Sequence, residues 1–169
     1  MPLPRRFDGN LMSPPAPDAP GDALLLQRLR AWCEAGAFPR FSLPLAAASI
    51  PAQAGLDAAA CELDGSAKLA QLAAWQGLAW RLRILLREQL AGPRARPEDP
   101  WDCGWWREGP LDAATAFRPR RPTLLLVREP GEAVAQALLA ALQAHSNDFA
   151  VPLRVLVVCA QPVPGWPRL

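Results

Sequence analysis

The sequence predicts an α/β fold: a small, mostly parallel sheet flanked by helices. Three observations carry this. Thr123-Leu124-Leu125-Leu126-Val127 and Val155-Leu156-Val157-Val158 are continuously apolar, the pattern of strands covered on both faces. Between them, beyond the breaker Arg128-Glu129-Pro130-Gly131, Glu132 to His145 has helical spacing, with Val134, Leu138, Ala141 and Leu142 on one side. Two buried strands joined by a helix call for a right-handed parallel crossover.

The totals bound the rest. A chain of 169 residues suits one domain and can bury a core without staples. Its hydrophobic fraction of 51% and mean hydropathy of +0.02 fit a globular protein, and its 20 prolines predict many chain breaks. A net charge of +2 offers no field for nucleic acid or an anionic membrane. Cys33, Cys61, Cys103 and Cys159 form no C-x-x-C pair and His145 is the only histidine, so a zinc site is not expected. Low cysteine density and the lack of an apolar run behind Arg5 and Arg6 point to a reducing cytoplasm rather than a disulfide framework.

Residues 1–21 hold Pro2, Pro4, Pro14, Pro15, Pro17 and Pro20 with no apolar period. They read as a disordered or extended arm draped over a single domain at 22–169. Asp22 is placed to cap a helix that ends at Gly36, with Leu25, Leu29, Trp32 and Cys33 as its buried stripe. One short strand is expected in Phe41–Ile50 and another is possible in Ala58–Leu63, since two strands alone make no stable covered sheet. Asp64-Gly65 marks a turn. Leu72, Trp75, Ala79, Leu82, Leu86 and Leu90 then recur at helical spacing and read as a core-facing stripe, stopped by Gly92-Pro93. Arg94 to Pro122 reads as a long irregular connection.

Sites in such sheets lie beyond the carboxyl ends of the strands, here Arg128-Glu129 and Ala160-Gln161. Trp101, Trp105 and Trp106 in the long connection would serve as a stacking platform or, more simply, cover the end of the sheet. His145, Ser146 and Asp148 are close in sequence without a nucleophile elbow, and Glu129 with Glu132 suits surface charge better than acid–base work. Cys159 would be reactive only if an arginine lowered its pKa. The tail from Gln161 to Leu169, with Pro162, Pro164 and Pro167, is expected to pack back over the sheet, burying part of Trp166 and blunting an open edge of the last strand.

Pro119-Arg120-Arg121-Pro122-Thr123-Leu124-Leu125-Leu126-Val127 resembles the second nucleotide-site strand of P-loop ATPases of the signal-transduction (STAND, AAA-like) type. The helix that follows, the strand Val151–Val158 and the preceding Trp101-Asp102-Cys103-Gly104-Trp105 are similar to their counterparts there, so the resemblance spans about residues 69–166. It implies a nucleotide site with ATP and magnesium as cofactors, but the chemistry is missing. No G-x-x-x-x-G-K-[ST] occurs, and the sole lysine lies in Asp64-Gly65-Ser66-Ala67-Lys68. Arg128 stands at the position of the magnesium aspartate, Glu129 is its neighbour, and Gln161 falls at the sensor position. The resemblance therefore implies a degenerate, non-catalytic domain without a cofactor, whose partner is another protein. The alternative is a divergent nucleotide site in which Gly65, Ser66, Lys68, Arg128 and Glu129 line the phosphates, Gln161 senses them and the tryptophans stack the base.

Overall fold

A computed structural model describes residues 11–16, 19–36, 44–91, 99–107, 111–119, 121–161 and 163–169, the last five residues of the 74–91 helix by backbone only. The expectations for residues 1–10, Pro17, Phe41–Leu43, Leu90 and Gly92-Pro93 lie outside the described side chains or residues.

The elements run β1 (Met12–Ser13), α1 (Ala23–Glu34), β2 (Leu45–Ile50), α2 (Leu56–Leu63), α3 (Ser66–Gln71), α4 (Ala74–Ala91), β3 (Asp102–Trp106), α5 (Leu111–Ala116), β4 (Thr123–Arg128), α6 (Glu132–Gln143), a 3-10 turn (Ser146–Asp148) and β5 (Leu153–Val158). The sheet order is β1-β3-β4-β5-β2. β3, β4, β5 and β2 are parallel to their neighbours, and β1 joins β3 antiparallel. The α/β class and mostly parallel sheet read from the sequence are what the chain forms.

The order of the strands explains the layers. The steps β3→β4→β5 go one way across the sheet and β2→β3 goes the other, so crossovers of one hand put their helices on opposite faces. One core layer joins α1 and α2 to the sheet through Leu25, Leu29, Ala59, Ala60, Leu124, Leu126 and Leu156. The other joins α5 and α6 through Ala114, Phe117, Leu138, Leu142, Leu125, Val155 and Val157. Alternate residues of β4 and β5 thus feed opposite cores, and apart from Thr123 and Arg128 at the ends of β4 and the buried Arg154 of β5 both strands are apolar, because neither has a wet face.

Local expectations hold in places. Asp22 caps α1 by accepting from Leu24 N at 2.9 Å, and Gly36 beyond its end has φ +63°. Leu25, Leu29 and Cys33 are buried and Trp32 is half-buried. Others are corrected. Ala58–Leu63 belongs to helix α2 rather than a strand, because Gly55 in the left-handed region starts a helix there. Arg94–Pro122 contains β3 and α5. The helix α6 buries Ala135 with Leu138 and Leu142 and leaves Val134 exposed. The described part of the arm is not merely draped: Leu11 and Met12 are buried, and Met12 pairs with Trp106.

The largest correction is α4. Trp75, Leu82 and Leu86, read as core, are 71%, 50% and 59% exposed. On the opposite side Gly77 and Ile84 are buried, Gly77 faces Leu69 of α3, and Trp80 lies over Gly65.

The tail packs back as expected, with Val163 buried and Trp166 half-buried against the α6 layer. The edge it closes is that of β2, since β5 lies inside the sheet. Ser49 N donates to Pro167 O at 2.9 Å and Leu169 N donates to Ser49 O at 2.8 Å. Deleting residues 161–169 is expected to open the β2 edge and cause self-association. Light scattering on the truncated chain checks this; a monodisperse monomer would show that the bonds to Ser49 do not guard the edge.

Candidate functional site at the carboxyl ends of the strands

Two neighbouring strands whose onward chains go to opposite faces leave a crevice at their carboxyl ends. Here they are β2, which leads to α2, and β5, whose tail crosses to the α6 side. Backbone bonds close the strand ends together: Cys159 N donates to Ile50 O at 3.0 Å, and Glu129 N to Val158 O at 2.7 Å. Glu129 has φ +40°, a left-handed conformation that is strained for a residue with a side chain.

Three side chains from three elements meet at the same carboxyl end of the sheet, at β3 and β4. The Trp105 indole Nε1, from the end of β3, donates to Asp57 Oδ1 at 2.6 Å. Asp57 lies in the first turn of α2 and also accepts from Ala16 N at 3.3 Å. The Arg128 guanidinium, from the end of β4, stacks on the Trp105 ring at 4.4 Å, a cation–π contact. Arg128 and Glu129 are otherwise exposed, as is Gln161 just beyond β5.

The turn between β2 and α2, Pro51 to Gly55, is the strand-to-helix turn nearest this cluster. Gly55 is buried with φ +84°. A Cβ on it would stand 3.1 Å from Pro20 O and 3.4 Å from Asp22 N, so the chain leading into α1 lies directly over the glycine. Asp57 and this turn do not stand out in the sequence, because Asp57 lies in an alanine-rich segment without a lysine or glycine motif beside it. The available signal was an apolar strand, a short turn and a glycine two residues before a carboxylate.

The expected nucleotide residues divide between the two ends of the sheet. Arg128, Glu129 and Gln161 lie at the carboxyl ends. Gly65, Ser66 and Lys68 follow the end of α2, next to Leu63, whose carbonyl accepts from Trp101 N at the amino end of β3. There each has a structural partner. Ser66 N donates to Asp64 Oδ1 at 2.7 Å, its hydroxyl donates to the same oxygen, and Lys68 sits over the Trp80 ring at 5.7 Å. A single phosphate site using both Lys68 and Arg128 is therefore not formed. The tryptophans do not gather into a platform either. Trp101 is buried at the amino end of β3, while Trp105 and Trp106 pack against opposite cores.

Among the described residues the remaining candidate groups do not converge. His145 Nδ1 approaches Asp148 Oδ2 at 4.0 Å, and Ser146 Oγ instead donates to Gln143 O at 3.0 Å. Burial pushes the Cys159 thiol up and outweighs the lowering effect of Arg168, so this cysteine is not an activated nucleophile. Among the described residues no cluster of His, Cys, Asp or Glu could hold a metal ion, and no helix is long and apolar enough to cross a membrane. No family model, no curated protein and no solved structure matches the chain.

Burial also pushes the Cys33 and Cys103 thiols up. The unfolded thiols ionise from about pH 8.5 while the folded ones stay protonated. The unfolded state then binds fewer protons, so stability is flat below that pH and falls above it, by roughly 1 kcal/mol per pH unit for each thiol. Denaturant unfolding at about pH 8 and about pH 10 reads this. Equal stability at the two values would mean that the thiols are not protected in the fold.

Proposed function

We propose that the chain is a P-loop-like regulatory or protein-interaction domain that does not turn over nucleotide. The observation that carries this is the Asp57 carboxylate at the start of α2. A phosphate loop offers free backbone N–H groups and a lysine at such a helix start. Here the position after Gly55 is Leu56, the next is Asp57, and the aspartate is held by Trp105 and Ala16. A phosphate approaching that turn meets a fixed negative charge, with the Pro20–Asp22 backbone over the glycine. Arg128 at the end of β4 repels a magnesium ion where an acid would bind it.

Calorimetry with ATP, ADP and GTP in magnesium at millimolar ligand is expected to give no heat. Magnesium-dependent phosphate release by the pure protein, abolished by Lys68→Ala or Arg128→Ala, would overturn the reading. A second reading, weak nucleotide binding at a divergent site, draws on one observation: the exposed Arg128 guanidinium on Trp105 offers a cation and a ring at the strand ends. Saturable heat lost in Arg128→Ala without turnover would favour it.

A further inference from the structure

We propose that the outer face of α4 is a docking surface for an acidic amphipathic helix of a partner protein. Trp75, Leu78, Leu82 and Leu86 are 71%, 57%, 50% and 59% exposed. Their spacing of three, four and four residues aligns them in one stripe about 16 Å long. Together they expose on the order of 400 Å² of apolar surface, the size of the largest patch on an ordinary monomer, which is often functional. The stripe lies opposite the side by which α4 is anchored, where Gly77 and Ile84 are buried and Trp80 rests on Gly65. One side of the helix thus rests on Leu69 of α3 through Gly77 and on Gly65 through Trp80, while the other is apolar and exposed.

Charge selects the occupant. Between Ala74 and Leu86 the helix carries Arg81 and Arg83 and no acidic residue. At 3.6 residues per turn the two arginines fall on opposite borders of the stripe. Among the described residues Arg81 Nε is buried without a hydrogen-bond partner. A straight apolar stripe bordered on both sides by arginine is the complement of a helix with leucine-like residues at its a and d positions and carboxylates at e and g. A second copy of this chain fits less well, because pairing two α4 stripes faces arginine borders with arginine borders. The proposal gives the interaction reading a surface and a partner chemistry, and the two fail separately. Nucleotide turnover would remove the earlier reading without touching α4, and the experiment below does not involve nucleotide.

The probe is a synthetic three-heptad peptide with leucine at a and d and glutamate at e and g, compared with its lysine counterpart, by fluorescence anisotropy on the full chain. The glutamate peptide is expected to bind saturably, at least tenfold tighter than the lysine peptide. Leu82→Glu should abolish binding with the circular dichroism unchanged, since the side chain is half exposed and little packing is lost. Arg81→Ala with Arg83→Ala should reduce the preference for glutamate severalfold. Equal binding of the two peptides, or none, overturns the proposal. So does a wild-type dimer by light scattering that Leu82→Glu dissociates, which would assign the stripe to a second copy. Binding of α4 to phosphatidylserine vesicles, lost in Leu82→Glu and unmatched by the glutamate peptide, also overturns it.

Discussion

Replacing Arg154 with methionine is expected to lower the unfolding free energy by about 2–4 kcal/mol. Arg154 lies near the start of β5 and is fully buried. Its guanidinium ends the helix α1 from outside. Nε donates to Cys33 O at 3.2 Å and Nη2 to Ala35 O at 2.9 Å, while Nη1 donates to Leu153 O at 3.2 Å. The last carbonyls of a helix have no partner within it and carry the negative end of its dipole. Arg154 supplies both the donors and the charge, from a residue about 120 positions away in sequence. Methionine fills much of the stem's volume and removes every donor. The cost is the loss of charge-assisted bonds, each about 1.5–3 kcal/mol. It is offset in part because burial disfavours the charged arginine, the direction in which its pKa is moved. Lysine at 154 should fall between the two, since one ammonium cannot span carbonyls that a planar fork reaches together. Guanidinium unfolding followed by tryptophan fluorescence measures the difference. A change for methionine below about 0.5 kcal/mol, the scale of neutral surface substitutions, would show that the α1 carbonyls do not depend on Arg154.

Breaking the Asp102–Arg121 pair should have a similar or larger effect. Asp102 opens β3 and Arg121 precedes β4; their charged groups stand 3.4 Å apart and both side chains are buried, 3% and 5% exposed. Removing one member of a buried pair takes away a main source of compensation for the other charge, at up to about 3–5 kcal/mol. Asp102→Leu is therefore expected to destabilise by that amount. Adding Arg121→Met should recover a large part of it, because an apolar pair of similar volume needs no compensation. The four proteins of this cycle, unfolded in urea, decide the matter. If the double variant is no more stable than Asp102→Leu alone, the cost of the single change comes from packing and not from the lost ion pair.

The fold class was readable because two strands have no wet face. Leu124 and Leu126 serve one core and Leu125 the other, so every position must be apolar and the run stands out. β3 was hidden for the opposite reason. Asp102-Cys103-Gly104-Trp105-Trp106 mixes a buried ion-pair carboxylate, a glycine and half-buried rings. A Cβ on Gly104 would stand 2.8 Å from Ser13 O, so the glycine is set by the approach of β1, a neighbour distant in sequence. Periodicity misplaced α4 because both of its sides carry large apolar residues. Spacing shows that a stripe exists but not which stripe meets the domain, and the fit of Trp80 over Gly65 chose the other one.

For the candidate site, the sequence alone pointed to the carboxyl ends of the strands and showed the absence of a phosphate-loop lysine motif. It also determined that Arg128 ends a buried strand, since the apolar run stops there. Only the tertiary structure decided which residues share that end. Lys68 and Arg128 were grouped by chemical type, yet α2 runs from the carboxyl ends toward the amino ends of the sheet and carries Gly65, Ser66 and Lys68 away with it. Asp57 was unremarkable in an alanine-rich segment until β3 brought the Trp105 indole to it and β4 laid Arg128 across the ring. The physical reason is one of range. Burial on both faces is imposed on each residue separately and is written in local composition. A site made by strand order and helix direction depends on contacts such as Asp57 with Trp105, 48 residues apart, and Trp105 with Arg128, 23 residues apart, and no local pattern records them.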